Sequence, residues 1–185
     1  MIRLFLIGML SAAPAMAQDD SFGETVQRSL EMPGHRILMQ TATAPGVALA
    51  PFETDGCSGG MSWGWRVVAD LFPDFEAAQG AVPPWETCCV VHDEAYHNAG
   101  AATDPETSFD ARLAADQALK LCVVQEGQTH APELAARYDV SLAQIDYAYG
   151  LIADQMFNAV RFGGGPCSGL PWRWGFGYPG CVPGL

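Results

Sequence analysis

The stretch Pro84-Trp85-Glu86-Thr87-Cys88-Cys89-Val90-Val91-His92-Asp93-Glu94-Ala95-Tyr96-His97 constrains this chain more than any other. Wound as a helix, it carries Cys88, Cys89, His92, Asp93 and Tyr96 within an arc of about 140°. Pro84 suits a first turn, where its missing N–H removes no bond, and Asn98 and Gly100 offer a stop. One face then bears two thiols, an imidazole, a carboxylate and a phenol. An ordinary amphipathic helix does not concentrate polar chemistry in this way. Val90, Glu94 and His97 fall on the opposite side.

The compartment decides how the thiols are read. Residues 1–17 have the layout of an export signal: Arg3, an apolar run from Leu4 to Leu10, and Ala15-Met16-Ala17 as the cleavage site. That run is too short to span a bilayer. The expected mature chain, residues 18–185, keeps all six cysteines and fits one domain with a sizeable core. Three disulfides are the default in an oxidising compartment, although spacing alone does not choose their pairing. Without Arg3 the chain carries eight Lys and Arg against 21 Asp and Glu, a net charge of −13. That argues against nucleic acid as a partner and against electrostatic recruitment to anionic membranes, while leaving room for a cation site.

Elsewhere the pattern is helical and punctuated. Ser21-Phe22-Gly23-Glu24 matches a capping box ahead of a short helix over about 22–32, which Pro33-Gly34 should end. Residues 35–52 are apolar and β-leaning around Pro45-Gly46, without a firm element assignment. Asp55-Gly56-Cys57-Ser58-Gly59-Gly60 is a glycine-rich loop, and 61–83 reads as irregular or short-strand structure with Trp63, Trp65 and Phe72 in the core rather than on a lipid. Asp104 caps a second long helix with Pro105 in its first turn, running to about Gln125 before Gly127. Asp116 shares a face there with Leu119, Cys122 and Val123. A third helix spans about Ser141 to Phe162, with Leu142, Ile145, Tyr149, Ile152, Met156 and Val160 as its core stripe. The tail from Cys167 to Cys181 looks like a disulfide-closed loop. Its Trp172, Trp174, Phe176 and Tyr178 alternate so that an extended strand would show all four on one face, against either the core or a membrane.

Two chemistries compete for the helix face. Zinc would take Cys88, Cys89, His92 and Asp93, but adjacent cysteines on a helix diverge and oxidation favours disulfides. Calcium separates the roles. The cysteines staple the helix, Asp93 offers a carboxylate, the 55–60 loop offers carbonyls, and His92 is left as a general base. Asp116 on the neighbouring helix is the candidate to orient that base.

Cys88-Cys89-x-x-His92-Asp93-x-x-Tyr96 resembles the active-site helix of secreted phospholipases A2. Asp116-Gln117-Ala118-Leu119-Lys120-Leu121-Cys122 resembles the family's second helix, and Gly56-Cys57-Ser58-Gly59-Gly60 its calcium loop. The family's cysteines at the positions of Ala95 and Ala115 are missing together, as one absent disulfide would require; Ser58 stands where the loop usually has glycine. The long insertion of the animal enzymes between the two helices is absent. The resemblance implies a mainly α, phospholipase A2-like fold with two antiparallel, disulfide-linked helices and a calcium-binding loop. It implies Cys57–Cys89 and Cys88–Cys122, leaving Cys167–Cys181. It assigns Ca²⁺ to Asp93 and the carbonyls of Gly56, Ser58 and Gly60, the base to His92, its partner to Asp116, and support of that carboxylate to Tyr96. The implied substrate is a phospholipid at a membrane or micelle surface, hydrolysed at an acyl ester. A binding protein that keeps the stapled helices without catalysis is the alternative.

Gly56-Cys57-Ser58-Gly59-Gly60 also fits a nucleophile elbow with Ser58 as the serine. An elbow needs a strand before it and a helix straight after, and Met61-Ser62-Trp63-Gly64 is a poor helix start. His35, His97 and His130 have no evident partner and read as surface residues.

Overall fold

The computed structural model describes residues 20–57 and 61–181. The export signal expected over 1–17 lies outside them, as do Ser58 and Gly60. Six α-helices make up the described chain, and no strand occurs among the described residues: α1 (Asp20–Ala42), α2 (Met61–Leu71), α3 (Pro73–Gln79), α4 (Glu86–His97), α5 (Pro105–Tyr138) and α6 (Leu142–Gly163). No described helix is long and apolar enough to cross a membrane.

The three disulfides are Cys57–Cys89, Cys88–Cys122 and Cys167–Cys181, with Cα separations of 5.0, 5.8 and 4.9 Å. Such bonding fits an extracellular or otherwise oxidising compartment. Cys88–Cys122 ties α4 to α5, and His92 and Tyr96 meet Asp116 further along, so the two helices run antiparallel. The α5–α6 hairpin is also antiparallel: Lys120 pairs with Asp154 and Asp116 with Arg161. Asp139 turns it in the left-handed conformation at φ 53°. The Asp104 side chain accepts from Thr107 N–H at 2.9 Å as the cap of α5, and Ser141 and Gln144 form a capping box on α6.

Several expected boundaries fail, and at Pro33 and Gly127 tertiary burial outweighs a local breaker. α1 does not stop at Pro33; it runs from Asp20 to Ala42, so Ser21 lies inside the helix instead of capping it. A proline inside a helix costs about 3 kcal/mol. Here its exposed side faces away while Met32, His35, Leu38 and Met39 bury the opposite stripe. α5 passes Gly127 and Pro132 and extends to Tyr138, a rod of about 50 Å at 1.5 Å per residue. Gly127 is the contact with α6 and not a stop: a Cβ there would lie 2.3 Å from the Tyr149 ring. Residues 61–79 form α2 and α3 where irregular structure was expected. Of their aromatics only Trp65 packs inward, its ring 5.0 Å from Phe75 and 5.8 Å from Trp85; Trp63 and Phe72 are exposed. Leu142, expected in the core stripe of α6, is exposed as well.

The tail is not an extended strand. Its backbone turns repeatedly, and the N–H groups of Gly175 and Gly177 donate to the carbonyls of Tyr96 and His97 at the end of α4. Trp174 is wholly buried against Tyr96, while Trp172 lies over Gly163. His35 and His97 are buried too. His35 sits 2.8 Å from Ser108 Oγ, and His97 is wedged between Phe52 and Phe176. His130 is exposed as expected.

Candidate functional site

α4 presents its polar face inward: Cys88, Cys89, His92, Asp93 and Tyr96 are all buried. Their environments differ because α5, α6 and the 51–57 segment cover different parts of that face.

His92 meets Asp116 from α5, with Nε2 2.8 Å from Oδ1. An ionised carboxylate only accepts, so Nε2 is the donor in this bond, which in a neutral imidazole puts the lone pair on Nδ1. Tyr96 O–H donates to the same Oδ1 at 2.7 Å. Burial pushes the Tyr96 phenol well up, and the Asp116 charge adds to the effect, so it stays a donor. The second Asp116 oxygen accepts from Arg161 Nη1 on α6 at 2.8 Å. Arg112 donates through Nε to the Tyr96 oxygen at 3.2 Å, and its terminal nitrogens reach Glu31 and the Val160 and Arg161 carbonyls. The pair His92–Asp116 is therefore the front of a buried ionic cluster drawn from four helices.

Asp93 lies on the open side. His92 Nδ1 is 4.0 Å from its Oδ1, and Thr54 Oγ1 donates to its Oδ2 at 2.6 Å. The same Thr54 hydroxyl accepts from Gly56 N–H at 3.1 Å, so one side chain ties the loop to the carboxylate. Gly56 needs its φ of +83°, and a Cβ there would strike the Glu86 and Ser62 side chains. Ser62 Oγ accepts from Cys57 N–H at 2.7 Å, holding the chain beside the Cys57–Cys89 bridge. Desolvation raises the Asp93 carboxyl to about 6; the Thr54 hydrogen bond and His92 oppose the rise, and Asp55 adds to it. Among the described residues no Lys or Arg pairs with Asp93, and no three His, Cys, Asp or Glu side chains gather as a metal cluster. Any cation here would be completed by carbonyl oxygens. Those of Gly56 and the undescribed Ser58 and Gly60 are the candidates, a hard-oxygen set that suits calcium better than zinc.

A carboxyl raised on folding loses stability as it is forced to ionise. Its contribution is full below the unfolded value near 3.8 and is lost as pH rises through about 6. In calcium-free buffer, the melting temperature of the wild type relative to Asp93→Asn should therefore fall between about pH 4 and 6.5, then level off. Parallel pH curves for the two proteins would show that Asp93 ionises freely in the fold.

Next to His92 and Asp93 opens a cleft of about 380 Å³, walled by Met61, Leu119, Met156, Ala159, Val160 and Trp172. It is largely apolar apart from the His92 and Asp93 side chains. Its lining comes from α2, α5, α6 and the tail, so only the folded chain assembles it.

His92, Asp93, Tyr96 and Asp116 thus come together, with Gly56 linked to them through Thr54. Ser58 and Gly60 lie outside the described residues. The zinc set does not assemble, because Cys88 and Cys89 are each taken up in a separate disulfide, with Cys122 and Cys57. The segment before residue 58 is not a strand, so a nucleophile elbow lacks its entry, although a helix does follow at Met61. Sequence reasoning missed Thr54, Glu31, Arg112 and Arg161. Arg112 had a signal, since it stands one helical turn before Asp116; the other three have none in local pattern. No protein-family model, no curated protein and no solved structure matches this chain.

Proposed function

We propose that the chain is a calcium-dependent, phospholipase A2-like esterase that hydrolyses an acyl ester of glycerophospholipids. The observation that carries this reading is the His92–Asp116 pair, 2.8 Å apart, beside an apolar cleft and a buried carboxylate that no Lys or Arg among the described residues pairs with. The arrangement is that of a base with one nitrogen anchored and the other free. Two antiparallel helices joined by Cys88–Cys122, with a glycine-rich loop stapled through Cys57–Cys89, agree with the phospholipase A2-like fold that the motifs imply.

In this mechanism His92 Nδ1 removes a proton from a water as the oxygen attacks the ester carbonyl. The imidazolium formed is stabilised by Asp116, and returns the proton to the departing alkoxide. Tyr96 holds Asp116 in place. The cleft takes an acyl chain and excludes bulk water. Asp93 and the carbonyls of Gly56, Ser58 and Gly60 would hold Ca²⁺, which when bound supplies Lewis-acid stabilisation of the oxyanion. The direct test is hydrolysis of a phospholipid with positionally labelled acyl chains, in calcium and in EGTA, by wild type and Asp93→Asn. Release of one labelled chain, lost in EGTA and in the variant, is expected. Equal hydrolysis in EGTA would remove calcium from the reading, and no hydrolysis at all would favour a stapled binding protein.

A net negative chain has to meet a lipid surface through apolar contacts. α2 offers them: Trp63 and Leu71 are 70% and 68% exposed, Phe72 just beyond is 60% exposed, and Met61 on the same helix lines the cleft. Trp63→Ala should weaken binding to zwitterionic vesicles severalfold with melting temperature unchanged. Unaltered vesicle affinity would take α2 out of the interface.

A further inference from the structure

The Asp116 carboxylate has two oxygens, and its hydrogen bonds divide between them. Oδ1 receives His92 and Tyr96, at 2.8 and 2.7 Å. Oδ2 receives Arg161 Nη1 at 2.8 Å, and the other Arg161 terminal nitrogen donates to Glu31 Oε1 at 2.8 Å. Glu31 also pairs with Arg112 through its second oxygen. Asp116 and Arg112 are wholly buried and Arg161 nearly so. Two carboxylates and two guanidiniums therefore form a neutral set behind the imidazole, spanning α1, α5 and α6.

The His92 ring depends on this set for its orientation. Apart from Asp93 at 4.0 Å, its polar partner is Asp116 Oδ1. A carboxylate gripped at one oxygen can turn about its Cβ–Cγ bond; gripped at both, it turns only by breaking a charge-assisted hydrogen bond. We propose that Arg161 is a positioning residue: by holding Oδ2, it fixes the plane of the Asp116 carboxylate and, through Oδ1, the tilt and tautomer of His92. Glu31 fixes the other end of the guanidinium, which gives α1 a part in the site although it lines none of the cleft. Arginine suits the place because its planar fork reaches two carboxylates at once, whereas an ammonium is a single point charge. For its effect on turnover the inference rests on the esterase reading; the ring geometry stands apart from it.

The experiment compares wild type with Arg161→Gln, Arg161→Lys and Glu31→Gln. Turnover of a short-chain phosphatidylcholine is measured in saturating calcium, and the ¹⁵N resonances of the His92 ring, which report its tautomer, are recorded. Folded Arg161→Gln should lose at least tenfold in kcat with KM within twofold, and its ring signals should move away from a single Nε2–H form. Arg161→Lys, whose ammonium can still hold Oδ2 but cannot bridge to Glu31 in the same way, should recover part of the loss. Wild-type kcat and ring signals in folded Arg161→Gln would overturn the proposal, as would Arg161→Lys falling as far as Arg161→Gln. If Arg161→Gln does not fold, Glu31→Gln decides: a three- to tenfold fall in kcat at constant KM is expected, and wild-type kcat and ring signals refute the positioning role. A wild type that hydrolyses no ester defeats the esterase reading, and the ring resonances alone then judge the role of Arg161.

Discussion

His92→Gln should lower phospholipid turnover by about 10²–10⁴-fold, the usual contribution of a positioned general base. The fold should survive. A glutamine amide can still donate toward Asp116, which keeps its hydrogen bonds from Tyr96 and Arg161. Calcium affinity should also stay near the wild-type value, since the imidazole is assigned as base and Asp93 as ligand. The variant thus separates the two halves of the site. Turnover in saturating calcium and calorimetric titration of the metal read them independently. A variant that hydrolyses lipid at a comparable rate would make His92 structural and its pairing with Asp116 incidental to chemistry.

Arg112→Met should produce the largest loss of stability. Arg112 is wholly buried and serves Glu31, the Tyr96 hydroxyl and the carbonyls of Val160 and Arg161. Burial and three neighbours affect Glu31 in opposite senses: desolvation raises its carboxyl, and His35, Arg112 and Arg161 together outweigh that and hold it below the usual range. Removing Arg112 leaves Glu31 with one guanidinium and strips the last carbonyls of α6 of a donor. Breaking a buried pair from one side costs about 3–5 kcal/mol. For a chain of this size that corresponds to a fall of roughly 10 °C in melting temperature. Urea unfolding with the disulfides intact measures it. A loss under about 1 kcal/mol would mean that water or another donor replaces the guanidinium, and that the cluster is looser than its distances indicate.

The motif on α4 was legible because the helical period puts His92, Asp93 and Tyr96 on one side of a single element, whatever surrounds it. Asp116 was legible for a similar reason: it shares an apolar face with Leu119 and Val123, and a lone carboxylate there needs a partner. The Asp104 cap is a local hydrogen bond between residues three apart, so it too could be read from spacing.

Helix ends marked by Pro33 and Gly127 could not. Their fate depended on what lies opposite: Leu38 against the tail, and Tyr149 across the close approach at Gly127. Local propensity amounts to a few kcal/mol, and burial of a continuous stripe exceeds it. Buried His35 and His97, and the folding of Trp174 under Tyr96, escaped for the same reason.

By itself the sequence determined which atoms do the proposed chemistry, because those groups are clustered by helical period within α4 and α5. Tertiary structure alone decided how they are held. Thr54, Glu31 and Arg161 lie 39, 81 and 45 positions from Asp93, Arg112 and Asp116, the residues they bind. At such separations, contact is a property of packing between elements, and no local period records it.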